Sequence, residues 1–191
     1  KTIKQANTIT YNPVIYELSK ENKELIPKTI KHIFIISDRR ERIETLRKIA
    51  KAVNSDKTMI FINTKYDLEE SLQKLQYHNY NVAALAGNID KQSKKKAVED
   101  FQNGRLQYLL ATDVAARGLQ IDHVSTVINV NLPEEPTEYL HRAGRCGRNN
   151  EQGLCISIIT ENELNKIKKY QKAFNINIVQ KRLYNGKIVS K

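Results

Sequence analysis

From residue 30 onward, short apolar runs alternate with stretches in which apolar residues recur at helical spacing. Ile33, Phe34, Ile35 and Ile36 form an unbroken apolar run, the pattern of a strand buried on both faces. Over 42–53, Ile43, Leu46, Ile49, Ala50 and Val53 share one face of a helix. The spacing predicts a strand over 59–62 and a helix over 67–77 with Leu68, Leu72 and Leu75 inward. A third strand follows over 82–85, then a helix over about 90–102 that Gly104 stops. Apolar runs over 106–111, 124–130 and 154–159 complete five or six buried strands. Continuous apolar strands separated by helices predict an α/β fold, a three-layer, doubly wound parallel sheet with helices on both faces. In such sheets the working loops lie beyond the carboxyl ends of the strands, and Thr64, Gly87 and Thr112 fall there. Thr64 is expected chiefly to cap the helix that follows it.

The ends of the chain read differently. Residues 1–28 contain Pro13 and Pro27 and show no sustained periodicity, so they read as a linker or the remnant of a preceding domain, ahead of a folded domain over 29–180. After the strand ending at Thr160, a helix to about Phe174 leads to Ile176, Asn177, Ile178 and Val179. From Asn165 to the end there are eight lysines and arginines and no acid, and 181–191 reads as a basic tail.

Composition narrows the partners. Lys+Arg number 32 against 21 Asp+Glu, a formal charge of +11 over 191 residues, which argues for a polyanionic partner but not for any fold. No apolar run approaches the ~20 residues of a membrane span. No signal-peptide pattern opens the chain, so a cytoplasmic protein is expected. Cys146 and Cys155 are the only cysteines and lack metal-ligand spacing. Cys146 is expected to be a small packed residue rather than a nucleophile.

The densest chemistry lies in His141-Arg142-Ala143-Gly144-Arg145-Cys146-Gly147-Arg148. Its arginines recur every third position, and on a continuing helix His141, Arg145 and Arg148 would share a face. Guanidinium groups facing one way repel each other and favour an anion between them; their planar forks match phosphate oxygens. A solvated basic helix end is the alternative for these arginines taken alone. His141 has no metal partner at a plausible spacing, and no residue is assigned to a metal.

Ala111-Thr112-Asp113-Val114-Ala115-Ala116-Arg117-Gly118-Leu119-Gln120-Ile121-Asp122 resembles motif V of the DEAD-box RNA helicases. The segment at 141–148 resembles their motif VI, with the leading His141 where related helicase families begin with glutamine. Met59-Ile60-Phe61-Ile62-Asn63-Thr64 resembles motif IV, and the resemblance runs from about Ile30 to Ile159 with spacings preserved.

The resemblance implies the second, C-terminal RecA-like lobe of an ATP-dependent RNA helicase. A phosphate loop G-x-x-x-x-G-K-[ST] and an Asp-Glu-Ala-Asp motif are absent from the chain. ATP is therefore expected in a site split between lobes, with its Mg on ligands of an N-terminal lobe supplied in cis. Residues 1–28 then read as the inter-lobe linker, and the lobe alone is expected to be monomeric and inactive as an ATPase. The resemblance assigns Arg145 and Arg148 as catalytic arginine fingers that also bind the nucleotide. The resemblance also implies that Asp113, Arg117, His141 and Arg142 couple motif V to motif VI and to the other lobe. It implies that Thr112, Gly87 and Lys94 contact the RNA backbone without reading sequence. The basic end of the chain is either solvated or RNA-facing.

Two motifs depart from the family pattern. Gln120 stands where the family has an aspartate that bonds the nucleotide ribose, so it keeps a hydrogen-bonding group but not the charge. Lys91 and Lys94 stand where motif IVa has glutamine and arginine, and Lys94 lacks the bidentate fork. Two other readings stay open at this point. One is a stand-alone RNA-binding or regulatory lobe without turnover. The other is a superfamily-2 DNA motor lobe, against which His141 and the Ala-Thr-Asp-Val-Ala-Ala-Arg-Gly run speak.

Overall fold

The computed structural model describes residues 27–86, 89–119, 121, 123–147 and 151–190. The segment read as a linker, 1–28, lies outside the described residues except for its last two.

The apolar runs become strands at the expected places. They are β1 (Ile30–Ile36), β2 (Thr58–Phe61), β3 (Val82–Leu85), β4 (Tyr108–Ala111), β5 (Thr126–Asn129) and β6 (Gly153–Ile159). Every residue of β2, β4 and β5 is buried, which is why these runs carry no polar alternation. Between the strands lie α1 (Arg42–Val53), α2 (Lys65–Tyr77), α3 (Lys91–Gln102), a short α4 (Asp113–Ala116) and α5 (Pro136–Ala143). Helix α6 (Leu164–Phe174) follows β6. Thr64 caps α2 as expected, its Oγ1 accepting from the Asp67 amide at 3.1 Å. Asp90 caps α3 by accepting from the Gln92 and Ser93 amides.

The strands form one sheet in the order β3-β4-β2-β5-β6-β1-β7-β8, parallel throughout except for its last pair. Two apolar clusters cover its two faces. Phe34, Met59, Phe61, Leu109 and Val127 point into one, with Tyr139 and Tyr170 from α5 and α6. Ile33, Ile35, Ile60, Leu110 and Ile128 point into the other, with Leu46 and Ile49 from α1 and Leu68 and Leu75 from α2. Alternate residues of each strand enter opposite clusters, as the period of two requires. The three-layer, mainly parallel α/β fold is the expected one.

The end of the chain corrects the sequence reading. Residues 181–190 are not a tail: β7 (Ile178–Tyr184) joins β1 in parallel, and β8 (Lys187–Ser190) folds back on it. Asn185 and Gly186 turn the hairpin with φ of 47° and 72°, the left-handed conformation that an Asn-Gly pair tolerates best.

Candidate functional site

Motifs IV, V and VI meet at the carboxyl ends of β2, β4 and β5. After β4, the Thr112 side chain accepts from the Ala115 amide at 3.3 Å and starts α4. That short turn sets Asp113 toward α5. In α5, Tyr139, Arg142 and Ala143 are buried; their spacing of three and four puts them on one inward face, while His141 faces solvent.

Arg142 is the centre of the network. Its Nε donates to Asp113 Oδ1 at 2.7 Å and its Nη2 to Asp113 Oδ2, so the carboxylate is gripped by two parallel bonds. The other Nη2 proton goes to Asn63 Oδ1 at 2.8 Å, and Nη1 donates to Asn129 Oδ1 at 3.2 Å and the Asn131 carbonyl at 2.8 Å. All five N–H donors of the guanidinium are thereby used. The side chain is 1% exposed and lies 5.0 Å from the centroid of the Phe61 ring. A charge buried this far would be costly alone; the carboxylate, three oxygen acceptors and the ring face offset that cost. The asparagines are themselves fixed. Asn63 donates from Nδ2 to the Leu132 carbonyl and from its backbone amide to Asn131 Oδ1, and Asn129 donates to Ser157 Oγ.

Arg145 does not continue the helical face of His141 as expected, because α5 ends at Ala143 with Gly144 as its C-cap. Arg145 lies in the turn beyond and reaches back across motif V, its Nη1 donating to the Leu119 carbonyl at 2.7 Å. Gly147 then takes φ +67°, and a Cβ there would meet Ile30 Cγ1 at 2.6 Å. The segment can lie against β1 only with glycine at this point.

Between motifs V and VI lies an open cleft of about 390 Å³. Asp113, Arg117, Glu138, His141 and Arg145 line it, over Phe61 and Arg142. The structure thus brings together five expected residues: Asp113, Arg117, His141, Arg142 and Arg145. Thr112 sits beside them at the end of β4. Lys94 does not line the cleft; it is half-buried on the first turn of α3, with Lys91 exposed at the start of that helix. Gly87, Gln120 and Arg148 lie outside the described residues. Sequence reasoning gave no role to Asn63, Asn129, Asn131 or Glu138. A usable signal was present for the first three, since each is an amide at the end of an apolar run.

The cysteines are buried packing residues. Cys146 Sγ donates to the Ala143 carbonyl, and burial pushes its thiol well above the ordinary range and that of Cys155 up to about 12, so neither is a ready nucleophile. Among the described residues no group of three His, Cys, Asp or Glu side chains is placed to hold a metal ion. No described helix is long and apolar enough to cross a membrane.

A family model of the helicase conserved C-terminal domain matches residues 41–150. The chain belongs to that family. It is a C-terminal domain of the DEAD-box RNA helicase type, similar over most of its length to proteins of that class. It is 32% identical over 96% of its length to the DEAD-box ATP-dependent RNA helicase CshC of Bacillus cereus, and covers 46% of that protein. It is 35% identical over 83% of its length to the ATP-dependent RNA helicase DBP3 of Saccharomyces cerevisiae, of which it covers 31%. The DEAD-box domain described here therefore spans less than half the length of these two relatives. Among solved structures it is similar to the C-terminal domain of the DEAD-box protein Dbp5, with TM-score 0.76 and 29% identity over 81% of this chain and 91% of that one. It is also similar to S. cerevisiae Dbp5 bound to RNA and ADP BeF3, with TM-score 0.80 and 27% identity over 94% of this chain and 48% of that one.

Proposed function

We propose that this DEAD-box C-terminal lobe completes an ATP site shared with a second lobe and holds single-stranded RNA by its backbone. The observation that carries the reading is the division of roles between two arginines of one segment. Arg142 is buried with every donor used internally, so it fixes the loops. Arg145 stands half-exposed on the rim of the cleft with Arg117 and His141.

The cleft residues fit a polyphosphate. Asp113 is bound by Arg142, which leaves Glu138 as the one other acid, among the described residues, lining a space shared by Arg117 and Arg145. ATP, when bound, supplies a phosphoryl group whose oxygens gain charge during transfer. Arg145, and Arg148 with it by family resemblance, hold those oxygens; such fingers contribute roughly 10³–10⁵ in rate. Asp113 and Arg142 keep motif V and motif VI in fixed register beneath Arg145, while Arg117 and His141 face the other lobe. The described residues do not fit a magnesium site, so the metal's ligands are assigned to the other lobe. Gln120 offers the ribose an uncharged amide in place of the family's carboxylate, which weakens nucleotide binding.

RNA lies over the ends of β3 and β4 in this reading. Thr112 and Lys94, with Gly87, contact phosphates without reading bases. Support comes from the relatives, which are described as ATP-dependent RNA helicases, and from the similarity to Dbp5 bound to RNA.

The test is RNA-stimulated ATP hydrolysis by the two-lobe helicase, with and without the paired changes Arg145→Ala and Arg148→Ala. Hydrolysis falls about 10³-fold or more while RNA binding and melting are kept. Undiminished hydrolysis would overturn the finger assignment. Robust turnover by the 191-residue chain alone would overturn the split site.

A further inference from the structure

At the opposite end of the sheet from the RNA-facing loops, the β7–β8 hairpin and α1 enclose a second cleft, of about 360 Å³. One wall carries Arg47, Lys48 and Lys51 from α1; the other carries Leu183, Tyr184 and the Asn185-Gly186 turn. Tyr184 is 59% exposed although it ends a strand, and the Arg182 guanidinium lies 5.6 Å from its ring centroid. Lys187 is its cross-strand partner. Leu183 and Ile188 pack into the core beneath, so the hairpin is anchored while its aromatic residue stands out in solvent.

The charge here is one-sided. Glu44 is the acid beside this wall, and it is engaged by Arg47 through three hydrogen bonds and by Lys74 at 3.1 Å. Lys48, Lys51, Arg182 and Lys187 are all exposed, and after Glu163 the chain contains no further acid. A solvent-facing aromatic ring flanked by cations suits an unpaired base with its phosphates: the ring offers a stacking surface to any base, and the cations attract the backbone. An acidic protein would also meet the cations, but it would leave the ring of Tyr184 without a planar partner.

We infer that the exposed face of the β7–β8 hairpin, at the edge of this cleft, is a second site for single-stranded RNA, with one base stacked on Tyr184 and the adjoining phosphates held by Arg182 and Lys187. The inference rests on the RNA reading above but concerns a different surface. Six strand spacings separate β4, which bears Thr112, from β8, about 29 Å at ~4.8 Å per spacing. A strand leaving the inter-lobe face must therefore cross the sheet ends to reach it, so the second site engages RNA outside the segment gripped between the lobes.

The experiment is a fluorescence-anisotropy titration of the 191-residue chain with a labelled oligouridylate long enough to span both surfaces. It compares wild type with Tyr184→Ala, Tyr184→Phe, the pair Arg182→Glu and Lys187→Glu, and Lys94→Glu. Tyr184→Ala weakens binding about fivefold or more, the magnitude of one lost stacking contact, and Tyr184→Phe restores it. The paired glutamates weaken binding and flatten its dependence on salt. A shorter oligouridylate, unable to span both surfaces, loses affinity with Lys94→Glu and with Tyr184→Ala independently. Wild-type binding that Lys94→Glu abolishes and Tyr184→Ala leaves unchanged would overturn the second site and keep the RNA reading. No RNA binding by wild type would overturn the RNA reading of this lobe itself. Circular-dichroism melts of each variant exclude unfolding as the cause.

Discussion

Arg142 and Asp113 are joined by two parallel hydrogen bonds, at 2.7 and 2.5 Å, between a guanidinium 1% exposed and a carboxylate 30% exposed. The pair bolts motif VI to motif V from below, and three amide or carbonyl oxygens from the ends of β2 and β5 complete the arginine's shell. It follows that the second arginine of the segment has a different task from the first, although the sequence spaces them identically.

Arg142→Ala should cost about 3–5 kcal/mol of stability, since it strands Asp113 and the surrounding oxygens without their donor. Arg142→Lys should recover little of this, because a lysine cannot grip both carboxylate oxygens and reach Asn63 and Asn131 as well. Urea unfolding measures both. In a double-mutant cycle, Arg142→Met with Asp113→Leu should cost less than the two single changes added together. Simple additivity would show that the pair is not coupled.

Gly147→Ala should fail for two separable reasons. The backbone sits at φ +67°, and the added methyl would lie 2.6 Å from Ile30 Cγ1. The conformation alone costs roughly 1–2 kcal/mol for a residue with a side chain. Ile30→Ala opens space for the methyl but not the dihedral, so the double variant should be less damaged than the sum of its parts while remaining weaker than Ile30→Ala alone. Equal stability of Gly147→Ala and wild type would contradict the close packing of motif VI on β1.

His32 gives the fold an acid limit. It is buried on β1, its Nδ1 is 2.9 Å from Tyr139 Oη, and Tyr139 in turn stacks on Tyr170. Burial lowers its pKa from 6.5 to about 4. Unfolding returns the imidazole to its ordinary value, so between these limits the unfolded chain binds the extra proton. Stability from the neutral ring is full above about pH 6.5 and is lost as pH falls toward 4, by about 3 kcal/mol in all. Unfolding midpoints measured from pH 7 to 4 should show this slope in wild type and lose much of it in His32→Gln. An unchanged slope would assign the acid loss to other groups.

What could be read beforehand follows from what each feature depends on. Strands β2, β4 and β5 were legible because burial on both faces leaves no room for polar residues, and that constraint is written locally. The Asn185-Gly186 hairpin was legible too, yet the basic residues around it suggested a tail; charge on the exposed face of a strand says little about pairing. The end of α5 was signalled by Gly144, but the regular spacing of arginines argued for a longer helix. Asn63, Asn129 and Asn131 were visible as amides at the ends of apolar runs, but their shared role depends on the ends of β2 and β5 converging on one guanidinium, a relation among distant residues that no local pattern carries.

Thr64 and Thr112 offer a controlled comparison of scaffold and site. Each ends a loop after a buried strand, and each accepts an amide hydrogen from the residue three ahead, at 3.1 and 3.3 Å. Loss of either hydroxyl should cost about 1 kcal/mol, the usual value of an N-cap. The proposed function separates them, because Thr112 is assigned an RNA phosphate and Thr64 is not. Thr64→Ala should lower the melting temperature and leave RNA affinity alone; Thr112→Ala should lower both, the affinity by several-fold. Thr112→Ser, which keeps the hydroxyl, should restore binding. If Thr64→Ala and Thr112→Ala weaken RNA binding equally, the effect comes through the loops' stability, and the phosphate contact at Thr112 is wrong. If neither does, RNA passes elsewhere on this face, and Lys94 becomes the residue to test.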